Sequence, residues 1–356
     1  MTGERIVKLR QKMASLGLDG FLVLESINRR YLSGFTGTSG LLLITLKNNF
    51  LFTDFRYLEQ AAVQAPEFQV VKHEFPVSKT IREVVQRMTL EAIGVESEHI
   101  TYKQYQDFVE NLPGIKLLPQ EGVIETLRMV KDEQELLAIK KAAEIADKAF
   151  NHIITKVKPG VSELSIAVEL EYFMRSLGAS ATSFETIVAS GCRSALPHGV
   201  ASEKIIEKGD FVTLDFGCIC QGYCSDMTRT IVIGQPSDKQ RQIYEIVLEA
   251  QIKGLEAVKA DLGAKEVDLV SRTHISRKGY GEFFGHGLGH GLGLKVHENP
   301  SLSPRDNTQL LENMVVTIEP GIYLANWGGV RIEDLVVVKD GGYENLTHSI
   351  KDLIII

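Results

Sequence analysis

Apolar residues recur along this chain with two different rhythms. Ile6, Leu9, Met13 and Leu16 keep helical spacing over residues 4–16 and stop at Gly17, which predicts an opening helix. Residues 20–24 read as a short buried strand. Residues 41–45 and 50–53 flank Lys47-Asn48-Asn49, which predicts a hairpin. Helical and strand-like segments then alternate over 56–62, 69–71, 80–88, 92–95, 102–111 and 115–118. This order predicts an α/β domain over residues 1–122.

Beyond residue 122 the helices lengthen. Asp132 and Glu135 have capping-box spacing and open a helix running to about residue 157. Pro159-Gly160 breaks it, and Ser162 caps a second helix that ends at Leu177-Gly178. The arrangement returns over residues 238–260 and 266–278, with Gly263 as the break and Gly279 as the stop. Each helix pair leads to a His-Gly, His198-Gly199 and then His286-Gly287. Each is followed by a strand pair bearing two acids, Asp215 with Asp226 and Glu319 with Glu333. Residues 123–356 therefore read as one α+β domain with an internal pseudo-two-fold duplication, its halves facing one cleft.

Composition narrows the class. Apolar residues at 44% and charged residues at 24% are those of a globular protein. A net charge of −7 without a basic tract argues against nucleic acid. Neither an apolar leader nor a span-length apolar run is seen, so no membrane association is expected. Cys192, Cys218, Cys220 and Cys224 fit neither a disulfide framework nor a zinc knuckle. Reduced thiols and a cytoplasmic enzyme are the expectation.

The acids carry the chemistry. With the turn centred between Cys220 and Gln221, Asp215 and Asp226 face each other directly, and Thr213 pairs with Thr228 one step on. Like charges so placed destabilise a hairpin unless a cation lies between them. Glu319 and Glu333 repeat this geometry inside apolar runs, where an idle carboxylate is costly. Arg331 shares the face of Glu333 and can orient a carboxylate. The segment Gly285-His286-Gly287-Leu288-Gly289-His290-Gly291 supplies imidazoles amid glycines that let backbone approach closely, and His290 breaks the alternation, as at a bulge. Taken singly, each feature has an ordinary reading: a surface Asp, a strand end at Glu319-Pro320, a loop residue at His297. Together, one imidazole and four carboxylates suit two divalent ions about 3.5–4 Å apart that ionise a water. This oxygen-rich set suits Mn²⁺ or Co²⁺ better than thiolate-bound zinc.

The order of these motifs, ending in Glu319-Pro320-Gly321 and Arg331-Ile332-Glu333-Asp334, resembles the proline-specific metallopeptidases of the pita-bread fold. These are the Xaa-Pro dipeptidases (prolidases) and the Xaa-Pro aminopeptidases (aminopeptidase P). Residues 1–122 resemble the creatinase-type N-terminal domain, through residues 30–37 and Thr53-Asp54-Phe55-Arg56-Tyr57. The resemblance implies Asp215 as a terminal ligand of one metal and Asp226 and Glu333 as bridges. His290 and Glu319 complete the other metal, and Arg331 holds Asp215. It implies that His286, His297 and His198 contact substrate or steady the tetrahedral intermediate, and that Glu319 accepts the proton of the attacking water. It also implies two divalent ions (Mn²⁺ first, Co²⁺ or Zn²⁺ as alternatives), substrates with proline in second place, and a homodimer. The compact chain favours the dipeptidase, with the aminopeptidase acting on longer peptides as the alternative. A methionine aminopeptidase is disfavoured by the N-terminal domain, and a creatinase by the intact ligand set. A non-catalytic peptide-binding module on the same fold remains the reading from a different class.

Overall fold

The structure, a computed structural model, describes residues 2–356. The chain divides into two compact units, Met1–Arg128 and Met129–Ile356.

In the first unit α1 (Thr2–Ser15) buries the stripe Ile6, Leu9 and Met13. It is followed by β1 (Gly20–Val23), α2 (Ser26–Ser33), β2 (Leu41–Thr45), β3 (Asn49–Thr53), α3 (Leu58–Gln64) and β4 (Gln69–Lys72). Then come α4 (Val77–Val85), β5 (Ala92–Glu96), α5 (Tyr102–Asn111), β6 (Lys116–Gln120) and α6 (Val123–Met129). The strands form one sheet in the order β4-β3-β2-β1-β5-β6. The β1–β2 and β2–β3 pairs are antiparallel and the outer pairs parallel. Leu22, Leu43, Phe52, Ile81, Ile93 and Phe108 build its core. The expected alternation of helix and strand is present. Helix α2 has no counterpart in the apolar pattern, because two turns are too few for a period to emerge. It is held by its ends: Glu25 accepts from the N–H groups of Ile27 and Asn28, and Gly34 closes it at φ 79°.

The second unit consists of two similar halves. In the first, α7 (Glu133–Ile153) starts from the Asp132–Glu135 capping box and α8 (Glu163–Ser176) from the Ser162 cap. After them run β7 (Ala181–Thr182), β8 (Ile187–Ser190), β9 (Phe211–Phe216), β10 (Cys218–Cys220), β11 (Tyr223–Cys224) and β12 (Met227–Val232). Phe150, Ile166, Leu170, Val212, Leu214 and Ile231 join these helices and strands in one core. In the second half, α9 (Asp238–Ala257) and α10 (Ala264–Arg277) occupy the corresponding place. They precede β13 (Gly289–Gly291), β14 (Glu298–Leu302), β15 (Val315–Ile318), β16 (Gly321–Leu324), β17 (Gly328–Arg331), β18 (Asp334–Lys339) and β19 (Gly342–Asn345). Val247, Ala250, Val267, Val316, Ile318 and Val336 are the matching core. Ile354 and Ile356 run along β12 and exchange backbone hydrogen bonds with Val232 and Gly234. Among the described residues no helix is long and apolar enough to cross a membrane.

Candidate metal centre

Two interrupted hairpins carry the acids. Gln221 (φ 52°) and Gly222 (φ 89°) are both left-handed, so they form a two-residue hairpin turn. Cys220 then pairs with Tyr223, and the same register places Asp215 opposite Thr228 and Thr213 opposite Thr230. The expected Asp215–Asp226 and Thr213–Thr228 pairs are therefore corrected by two residues. Gln-Gly stands where the familiar Asn-Gly would have located the turn. Asp226 lies two residues from Thr228, between β11 and β12, and so keeps the face of Asp215. Gly217 makes this interruption possible: a Cβ there would lie 1.9 Å from the Ser225 carbonyl oxygen.

The second hairpin behaves as expected. Ile318 pairs with Asp334 and Gly321 with Arg331, which sets Glu319 across from Glu333. The two hairpins meet side by side. Glu333 N–H donates to the Thr228 carbonyl (3.1 Å), and the Thr230 hydroxyl donates to the Arg331 carbonyl (2.9 Å). Both acid pairs consequently face one space.

His290 enters that space from β13, at a register shift between His290 and Gly291. The expected bulge is present, although the glycine alternation is strand only over Gly289–Gly291. A Cβ on Gly289 would lie 1.9 Å from the Thr317 carbonyl oxygen, so only glycine fits against β15. The His290 ring directs Nδ1 at the Gly291 carbonyl (3.0 Å) and Nε2 at the acids, 3.3 Å from Glu319 Oε1 and 3.6 Å from Asp226 Oδ2. That bond sets the tautomer with Nε2 free to ligate. Asp226, His290 and Glu333 each offer a ligand atom within 4.8 Å of the others. All five expected ligands line one cleft of about 780 Å³.

Electrostatics test whether a metal fits. Asp215, Asp226 and Glu333 are 8%, 5% and 2% exposed, yet Asp215 Oδ1, Asp226 Oδ1 and Glu333 Oε1 have no hydrogen-bond partner. Burial, then the charge of Asp215, pushes Asp226 well above the ordinary carboxylate range. Burial, then Asp226, does the same to Glu333, and burial raises Asp215 in spite of Arg331. For Glu319 burial is outweighed by the hydrogen bond and charge of His290, which hold it at about 2. For His290 burial is outweighed by Glu319 and then Asp226, which lift it to about 9. Three buried carboxylate oxygens without donors, in a set this negative, could hold a cation. Hard oxygens with one imidazole fit divalent metal.

Behind the acids lies a network that the sequence only partly announces. Arg331 donates through Nη2 to Asp215 Oδ2 (2.5 Å), through Nε to Thr228 Oγ1 (3.1 Å) and through Nη1 to the Tyr323 hydroxyl (2.9 Å). Thr228 in turn donates to Glu333 Oε2 (2.7 Å). Tyr323 also meets His286 Nε2 (2.9 Å), while His286 Nδ1 meets the Gly287 carbonyl (2.7 Å). Both ring nitrogens of His286 are thus engaged within the protein. His297 packs edge-on against His290, with ring centroids 4.3 Å apart, and His198 is an exposed part of the cleft wall. Tyr323 escapes sequence reasoning, because Gly321-Ile322-Tyr323-Leu324 reads as an ordinary strand. All four cysteines are free, and burial pushes the Cys218 thiol up to about 11 and Cys224 to about 12, so neither is a poised nucleophile.

Comparison with known proteins places the chain in a family. Metallopeptidase family M24 matches residues 138–340, and the creatinase/prolidase N-terminal domain matches residues 5–130. The chain is 42% identical to the Xaa-Pro dipeptidase of Pyrococcus horikoshii, covering 99% of each chain. The solved structure of an Xaa-Pro dipeptidase from Bacillus anthracis superposes with a TM-score of 0.98 at 48% identity, over all of both chains. The X-Pro aminopeptidase of Thermotoga maritima superposes with a TM-score of 0.91 at 41% identity, over 97% of this chain and 100% of that one. The chain belongs to metallopeptidase family M24, with a creatinase/prolidase N-terminal domain ahead of its two-halved catalytic unit.

Proposed function

We propose that this enzyme hydrolyses the bond between an N-terminal residue and proline, with Xaa-Pro dipeptides as its leading substrates. The observation that carries the reading is the set of buried, donorless carboxylate oxygens around His290 Nε2. The likeness to two Xaa-Pro dipeptidases supports the substrate class. Asp215, Asp226, His290, Glu319 and Glu333 would hold two divalent cations, for which Mn²⁺ suits the hard donors best and Co²⁺ or Zn²⁺ are alternatives. When bound, such a pair lowers the pKa of a water and polarises the scissile carbonyl.

The chain's own groups do the rest. Arg331 fixes the orientation of Asp215, and Thr228 that of Glu333. Glu319 takes the proton of the attacking water. Burial lowers the pKa of His297, so its neutral ring offers an N–H to the developing oxyanion. His198, exposed on the cleft wall, would meet the substrate. With both nitrogens occupied, His286 acts through Tyr323 and Arg331 rather than on substrate. A peptide beginning with Xaa-Pro has no N–H at the scissile bond, so gripping its amino terminus replaces strand pairing.

One observation favours the aminopeptidase reading. Among the described residues lining the cleft, Arg331 is the one fixed cation, and its donors are already committed. A dipeptide's carboxylate must then be met by imidazole, whereas a longer peptide presents no such charge there. Comparing kcat/KM for Leu-Pro and Leu-Pro-Leu, with Leu-Ala as control, decides between them. Failure to cleave either proline substrate with Mn²⁺, Co²⁺ or Zn²⁺ bound would remove the proposal. Free cysteines suit a cytoplasmic location, and a homodimer is the assembly proposed with it. A monomeric mass by sedimentation would remove the dimer.

A further inference from the structure

Two buried carboxylates outside the metal-ligand cluster sit on the second helix of each half, Glu163 at the start of α8 and Asp268 one turn into α10. On α10, Asp268 grips Arg272 through both oxygens (2.7 Å each) and accepts the N–H of Leu288 (3.0 Å). Arg272 donates onward to the carbonyls of Phe284 (3.0 Å) and His286 (2.7 Å). This pair fixes the His286-Gly287 segment. On α8, Glu163 is 0% exposed. Its Oε1 accepts from Ser190 N–H (2.7 Å) and Ser190 Oγ (2.8 Å), and its Oε2 from Arg193 Nε (3.0 Å), Ser202 N–H (3.2 Å) and Ser202 Oγ (2.6 Å). Arg193 reaches the Val200 carbonyl through Nη2 (2.6 Å). The open N–H groups of the first turn of α8, on Glu163 and Leu164, are taken by the carbonyls of Lys204 and Ser202. The whole stretch 190–204, which carries Pro197, His198 and Val200 into the cleft, is thus pinned to the start of α8.

The halves differ in what their histidines are free to do. His286 has partners at both ring nitrogens. The His198 ring is exposed on the cleft wall, and no hydrogen bond to it is found among the described residues. A group that must meet a changing ligand has to be held by its backbone, and Glu163 is the node that does so. A buried carboxylate with this many donors is also costly to disturb, since removing it strands buried serine and arginine donors.

We propose that Glu163 is a positioning residue for substrate binding: it sets the wall bearing Pro197 and His198, and through His198 governs affinity for the proline side of the substrate. The proposal rests on the Xaa-Pro reading. Glu163 touches neither the metal ligands nor substrate, so its loss should weaken binding more than turnover. In the full-length, metal-loaded enzyme, Glu163→Gln should raise KM for Leu-Pro roughly tenfold while kcat changes less than about threefold. Ser202→Ala, a milder break of the same node, should move KM in the same direction. In a His198→Ala background Glu163→Gln should add no further rise in KM. Backbone amides over residues 191–202 should exchange hydrogen faster in Glu163→Gln, with β15 and β18 unchanged and metal content equal to the parent. The proposal is overturned if KM rises as much without His198 as with it, if kcat and metal content fall together, or if exchange over 191–202 does not change. An unmodified enzyme that cleaves no Xaa-Pro peptide would fail the functional reading instead, and the exchange experiment would still decide whether Glu163 holds this wall.

Discussion

Arg331 and Tyr323 show how little of an active site need touch the substrate. Arg331 spends three donors on Asp215, Thr228 and Tyr323, and the phenol links it to His286. Tyr323→Phe keeps the ring and removes only that link. Supporting groups of this kind are worth roughly 10–100-fold in metal affinity or activity. A loss of that size, measured by metal titration and kcat/KM, is expected, and no change in either would show that the phenol is idle. Glu333→Ala is expected to be harsher: metal retention should fail and kcat/KM drop by at least about 10²–10³-fold. A purified Glu333→Ala protein that was active after chelation would refute the ligand assignment. The acids are readable in the sequence because Asp215 and Glu333 sit inside apolar runs, where charge is out of place. Tyr323 is not, since its partner Arg331 is eight residues away and reaches it only through the pairing of β16 with β17.

At the level of elements, the capping residues are the most legible signals. Asp132 with Glu135 and Ser162 are visible as letters and do the same work in space, because a cap depends on residues three apart. Register is different. A single misplaced turn centre moves every β9–β12 pair by two residues, and only the left-handed Gln221-Gly222 pair identifies the right one. Gly217 has the same character. Its need for a bare Cα comes from Ser225 on the opposite strand. Gly217→Ala should force the hairpin apart where Asp215 and Asp226 converge, and cost about 1–3 kcal/mol. Urea unfolding of the metal-free protein would measure this; a midpoint equal to the parent's would mean the strand simply shifts.

Over the whole molecule, metal and protons compete for one acidic core. Asp226 and Glu333 have folded pKa values above their ordinary values of 3.8 and 4.5. Their protonated forms therefore contribute stability that is complete below those ordinary values and lost as pH climbs through the raised ones. His290, at about 9 against 6.5, loses its contribution over the same upward direction. Glu319, held at about 2, contributes above 4.5 and loses that only in strong acid. The metal-free protein should consequently melt at lower temperature as pH rises from about 5 to 9. Metal displaces these protons, so its affinity should grow over the same range. Calorimetry with and without Mn²⁺ should show the gap in Tm widening with pH, and a constant gap would contradict this competition between metal and protons.

Asp215 and Asp226 come from one half of the catalytic unit, and His290, Glu319 and Glu333 from the other. On the proposed ligand set, neither half by itself is a competent chelator. A molecule cut in the connection between β12 and α9, at Gly234–Ser237, would become a heterodimer of two fragments with the ions as part of its glue, and chelation should loosen the two pieces together with the chemistry they share.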